Sequence, residues 1–188
     1  MNPGPAQDGR REGDGSSFTG GGDDGQVGDT TLSISDILPQ TRKINIFASL
    51  TRDVSAVTSR LESIRAQDNT TLLAPLNSAM QALPRKPWED RPGDEDVGVG
   101  AERDEDKAAR NLARFVKEHV VPTSPWKAGR ENKIKTLGGQ ELWWEEEEEE
   151  EGGETRKVIK PGNLLVDSVV GRVGNGEIWA VRGVVNYA

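Results

Sequence analysis

Glu118 and His119 stand side by side, a carboxylate next to the one imidazole in 188 residues. Such a pair can do general acid–base work when a cleft holds it against a substrate. A carboxylate-based hydrolase would add a second acid at a set distance. The neighbouring sequence supports a different use. Ala108, Leu112, Phe115, Val116 and His119 recur at three- and four-residue steps, which places the imidazole on the apolar face of a helix from Asp104 to about Val120. On such a face a neutral ring with each nitrogen satisfied by a neighbour is the expected state. No G-x-S-x-G elbow, phosphate loop, HExxH helix or thiol is present in the sequence, so no enzyme motif is assigned and no catalytic residue is named.

Two other groups could carry chemistry. Glu145 to Glu151 is a run of seven glutamates followed by Gly152-Gly153-Glu154. A calcium loop needs mixed oxygen ligands on a defined turn, and a homopolymer offers no such order. Its like charges repel and extend the chain, so 145–154 reads as a solvated hairpin tip, dispensable for folding, with no metal and no cofactor. Asn69-Thr70-Thr71 is a glycosylation acceptor triplet, and Asn69 would carry sugar if the chain enters a secretory lumen.

Composition narrows the rest. Residues 1–31 hold nine glycines and few large apolar side chains; this acidic, Gly-rich tail reads as disordered, with one folded domain over 32–188. A net charge of −8 argues against a nucleic-acid partner. Zero cysteines remove disulfides and thiolate ligands. No apolar stretch approaches the ~20 residues of a membrane span. The start of the chain also lacks the basic and apolar regions of a secretory signal, which taken literally means cytosolic.

The elements that would position these groups are legible in order. Ser33 to Leu38 suits a helical turn capped by Ser33 or Ser35. Phe47, Leu50, Val54, Val57 and Leu61 share one face of a helix over 45–63. Thr71 to Ala74 reads as a buried strand ended by Pro75, and Asn77 as the N-cap of a short helix carrying Met80 and Leu83. The 85–103 segment reads as a surface loop lying down through Trp88. Beyond Pro125 the pattern becomes strand-like: 134–137 and 140–144 around Gly138-Gly139, then 157–160, 164–173 and 177–181, and a last β-like piece at Val184, Val185 and Tyr187. Gly174-Asn175-Gly176 is a strong hairpin signal. Trp143 and Trp144 should clasp opposite sheet faces. Helices first and strands later give an α+β fold, with several helices against an antiparallel sheet.

Three separated stretches carry a family resemblance. Thr71 to Met80 (TLLAPLNSAM) resembles the first box of fasciclin-like domains, through Thr71, Ala74, Pro75 and Asn77. Phe115 to Pro122 (FVKEHVVP) resembles the family's Tyr-His box at His119 and Pro122. Asn175 to Val185 (NGEIWAVRGVV) resembles its second box through Asn175, Gly176 and Gly183. The sequence resembles the fungal single-domain type in particular, with 85–103 and 145–154 as surface insertions. Glu118 stands where the family has tyrosine, so the integrin recognition linked to that box in animal relatives is not carried over. The resemblance implies a wedge-shaped fold and a non-enzymatic adhesion or protein-interaction module. It implies an extracellular, cell-surface or vacuolar place and a protein or cell-wall partner; with the Asn69 triplet the expectation is a secreted glycoprotein, and a monomer. The alternatives are the carboxylate-based hydrolase and a truncated or degenerate copy that keeps only the fold.

Overall fold

The computed structural model describes residues 30–91, 104–149 and 152–185. The disordered reading of 1–31 and most of the 85–103 loop therefore lie outside the described residues, as do Glu150, Glu151 and Tyr187. The helices are α1 (Ile34–Ile37), α2 (Asn45–Thr51), α3 (Ser55–Glu62), α4 (Asn77–Gln81) and α5 (Asp104–Glu118). The strands are β1 (Thr70–Pro75), β2 (Val120–Val121), β3 (Ile134–Lys135), β4 (Glu141–Glu148), β5 (Thr155–Lys160), β6 (Leu164–Val173) and β7 (Gly176–Val181). They form one sheet in the order β2-β1-β7-β6-β5-β4-β3.

Alternation along each strand divides the interior into two layers. Leu72, Ala74, Val120, Ile178 and Ala180 face the helices and pack with Ile34, Phe47, Val57, Leu61, Phe115 and Val116. Leu73, Val121, Leu142, Trp144, Ile159, Trp179 and Val181 face the other way and pack with Trp126 and Val185. Trp144 donates its indole N–H to the Trp126 carbonyl at 3.1 Å, and Trp126 stacks on Trp179 with ring centroids 5.6 Å apart. Trp143 lies on the opposite face from Trp144, as strand alternation requires, with the Arg130 guanidinium 5.3 Å from its ring centroid.

The structure departs from the sequence reading in several places. The sheet is mixed, because β1 and β7 run parallel, with Leu72 opposite Ile178 and Ala74 opposite Ala180. The Asn-Gly turn sets only the antiparallel β6–β7 pair; the chain between β1 and β7 is long enough to cross over and return in the same direction. The helix over 45–63 breaks before Ser55, where the extended backbone of Val54 (φ −116°, ψ 91°) separates α2 from α3. The break costs no burial, since Phe47, Val57 and Leu61 are inside and Val54 itself is 6% exposed. The Thr51 carbonyl at the break accepts from the Val54 N–H at 3.3 Å and from Thr58 Oγ1 at 2.9 Å.

The helix from Asp104 stops at Glu118 rather than Val120. Val120 and Val121 instead pair with Leu72 and Thr71, as suits two β-branched residues before a proline. Asn77 is the first residue of α4, and Leu76 occupies the cap position. The turn at Gly138-Gly139 also takes in Leu137: the Thr136 N–H reaches the Gln140 carbonyl at 2.9 Å, so three residues bridge the strands. Residues 182–185 form no strand. Trp88 is 42% exposed; the loop is held instead by Asn111, which donates to the Trp88 carbonyl at 3.2 Å, and by Lys107 against Asp90 at 2.9 Å.

The glutamate run is the largest correction. Glu145 to Glu148 belong to β4 and pair with Val158, Lys157, Arg156 and Thr155 of β5. Cross-strand cations offset the repulsion expected from the run alone. Lys160 bridges Glu147 at 2.6 Å, Lys157 lies 3.9 Å from Glu146, and Arg156 pairs with Glu149. Lys157 also sits 3.8 Å from the Trp144 ring centroid. Burial there lowers its ammonium pKa, opposed by Glu146 and Glu177. Lys157→Ala would uncover Trp144 and is expected to cost about 1 kcal/mol in urea unfolding, while Lys157→Arg retains most of it.

Candidate functional site

The polar residues of the three family boxes lie on or near β1 and β7, and their side chains bond to backbone groups of the same fold. Thr71 is fully buried and donates its hydroxyl to the Thr123 carbonyl at 2.7 Å. Ala74 and Pro75 continue β1 opposite Ala180 and Val181. Beyond them Asn77 Oδ1 accepts from the Ile46 N–H at 3.1 Å, and its Nδ2 donates to the Arg42 carbonyl at 2.8 Å. It fastens α4 to the start of α2.

His119 follows the last turn of α5 and is fully buried. Its Nδ1 lies 2.8 Å from the Phe115 carbonyl, and its Nε2 3.0 Å from the Val185 N–H. A backbone N–H can only donate, so Nε2 must be bare and Nδ1 must carry the proton. Phe47 and Phe115 flank the ring, with centroids at 5.1 Å and 4.7 Å. Burial pushes its pKa down to about 4, against the raising effect of the Phe115 carbonyl. Both nitrogens are occupied at neutral pH, and the imidazole acts as a strut between α5 and the segment after β7.

Glu118, its neighbour, is 3% exposed and faces Arg91, whose Nη2 lies 3.3 Å from Oε2. Gly138 packs on it so closely that an added Cβ would sit 2.5 Å from Glu118 Cγ. Glu118 and His119 therefore do not share a cleft: the carboxylate serves the loop after α4, and the ring serves the chain after β7. Pro122 directly follows β2.

Asn175 is fully buried. Its Oδ1 accepts from the Ile34 N–H at 2.8 Å; its Nδ2 donates to the carbonyls of Leu61 at 2.7 Å and Ser63 at 2.9 Å. One side chain thus joins the start of α1 to the end of α3. Gly176, at φ +147°, lies where any Cβ would collide with the Thr70 carbonyl, so β7 can approach β1 this closely only without a side chain. Gly183 lies against Leu164, which an added Cβ would meet at 2.9 Å. Asn69 is half-buried between the short helical turn Ala66–Asp68 and β1. Among the described residues, no group of three His, Asp or Glu could hold a metal, and no helix is long and apolar enough to cross a membrane.

Sequence reasoning missed one concave site. A cavity of about 430 Å³ opens beside the β5–β6 turn, between Leu142, Ile159, Leu164 and the 182–185 segment. Its walls come from stretches far apart in sequence, and no local pattern announces it.

No protein-family model matches the sequence. Individual relatives do. A FAS1 domain-containing protein of Aspergillus fumigatus is 46% identical over 159 residues, covering 82% of this chain and 63% of that protein. One from Emericella nidulans is 44% identical, covering 82% of this chain and 62% of that protein. The chain thus spans less than two thirds of the length of these two relatives. One from Neurospora crassa is 40% identical over 190 residues, covering 99% of this chain and 76% of that protein. Among solved structures, a FAS1 domain pair from the insect cell adhesion molecule Fasciclin I aligns at 16% identity and a TM-score of 0.48, covering 78% of this chain and 46% of that one. With 40% identity across 76% of the Neurospora protein, the chain belongs to the fasciclin-like family of FAS1 domain-containing proteins.

Proposed function

We propose that this chain is a non-enzymatic adhesion or protein-interaction module of the fasciclin type. It works outside the cytoplasm or in the vacuole, as a monomer against a protein or cell-wall partner. Family membership carries the reading: the relatives are FAS1 domain-containing proteins, a family not known as enzymes. The bonding of the boxes supports it. His119, Asn77, Thr71 and Asn175 direct their polar atoms at backbone groups of the same fold, which leaves recognition to the outer surface.

Beads coated with the folded chain should bind intact fungal cells or isolated wall material in a saturable way, and heat-denatured chain should not. Equal retention of folded and denatured protein, or no retention on any surface, overturns the proposal. Mass analysis of protein from its native source should show sugar on Asn69, and an unmodified Asn69 with cytosolic recovery counts against the extracellular or vacuolar part.

A further inference from the structure

We propose that the cavity beside the β5–β6 turn binds a small amphipathic carboxylate, its apolar chain inside and its head at the Lys160–Arg182 mouth. A volume of about 430 Å³ falls within the ~300–1,000 Å³ usual for small-molecule sites. The floor is apolar, formed by Leu142, Ile159, Leu164 and Val185. The lining contains two cations and no carboxylate, in a chain whose net charge is −8. An anionic head is the complement to that mouth.

Donors remain there after the internal bonds are counted. Lys160 uses two ammonium protons, on Glu147 at 2.6 Å and on Asn163 at 2.6 Å, and a third is left. Arg182 turns Nε toward Asp167 at 3.2 Å, and Nη2 reaches the same oxygen at 3.2 Å. A guanidinium has five N–H groups, and this side chain is 54% exposed. Gln140 lines the same space, its backbone N–H held by Thr136 Oγ1 at 3.1 Å.

The walls are fixed before any ligand arrives. Val185 is tied to His119 Nε2 at 3.0 Å. The loop before Gln140 is tied by the Leu137 N–H to the Val120 carbonyl and by the Gly138 N–H to the Lys117 carbonyl, each at 3.0 Å. Gly183 keeps the passage to Leu164 open, since a Cβ there would come within 2.9 Å of its Cδ1. Two family boxes thus shape a cavity that neither box forms by itself.

The test uses the whole chain and two probes of equal length, decanoate and decan-1-ol, titrated below their aggregation limits and followed by calorimetry. Decanoate should bind once per chain and at least tenfold more tightly than the alcohol. Arg182→Gln should weaken decanoate at least threefold and leave the alcohol unchanged. Leu164→Trp should fill the cavity and abolish both. Should that variant not fold, Gly183→Ala narrows the same passage with one methyl group and should weaken both probes. Equal affinity for the two probes, binding undiminished in the filled variants, or no saturable binding overturns the proposal, the last by showing that the cavity is closed or occupied by the chain itself. Cell-surface adhesion is read separately, so loss of either result leaves the other standing.

Discussion

His119→Ala is expected to lower unfolding free energy by about 3 kcal/mol or more at pH 7, read from urea or thermal unfolding. The substitution strands the Val185 N–H, bonded to the ring in the native protein, and removes the imidazole from the Phe115 carbonyl. Each buried group left without a partner costs about 1–3 kcal/mol, and the space vacated between Phe47 and Phe115 adds to that. An unchanged melting temperature would refute the strut.

The same residue makes a second, separable prediction. In the folded chain its pKa is about 4, below the ordinary 6.5. The unfolded chain therefore binds the proton first as pH falls, and it binds more protons than the native state across that interval. Stability from keeping the ring neutral is full above pH 6.5 and is lost as pH drops toward 4. The difference between the two pKa values corresponds to about 3 kcal/mol. Asp167, Asp68, Asp36 and Asp90 have pKa values lowered from 3.8, chiefly by hydrogen bonds from Lys43, Ser63, Ser33 and Lys107 in turn. Those carboxylates lose their contribution only as pH falls below about 4. Among the described groups whose pKa is shifted, His119 is the one that acts between 6.5 and 4, and His119→Ala should flatten stability across that interval. A wild-type curve already flat over that interval would show that the ring is not held neutral.

The sequence made some of this legible and hid the rest for physical reasons. Helical spacing placed Phe47, Val57 and Leu61 inside, because burial follows the stripe whether or not the backbone runs unbroken. It could not show the break at Val54, since the three- and four-residue steps continue across it. Asn77 has the chemistry of a cap, but its side chain is used by α2, 31 residues away. The glutamate run reads as repulsion until Arg156, Lys157 and Lys160 are seen beside it. The cavity was illegible for a related reason. Its floor and mouth come from separate stretches of chain, and its opening depends on where Gly183 meets Leu164.

Asn175→Ala is expected to cost about 3–5 kcal/mol, a large part of the ~5–15 kcal/mol that holds a typical domain together. Three backbone groups lose their partner at once: the Ile34 N–H, the Leu61 carbonyl and the Ser63 carbonyl. No water can easily replace the amide, because the site is fully buried. Asn175→Asp separates bonding from shape. A carboxylate still accepts from Ile34, but it cannot donate, and its charge would face two carbonyl oxygens. At neutral pH the Asp variant should be at least as unstable as the Ala variant; on mild acidification, where both share the loss from His119, it should gain on the Ala variant as the carboxyl regains a proton to donate. Urea unfolding of both variants at about pH 7 and about pH 5 gives the comparison. If Asp is tolerated at neutral pH, the Leu61 and Ser63 contacts contribute little and Asn175 is a turn residue only; if both variants fall and Asp gains on Ala in acid, the side chain is the joint between the first helices and the final hairpin.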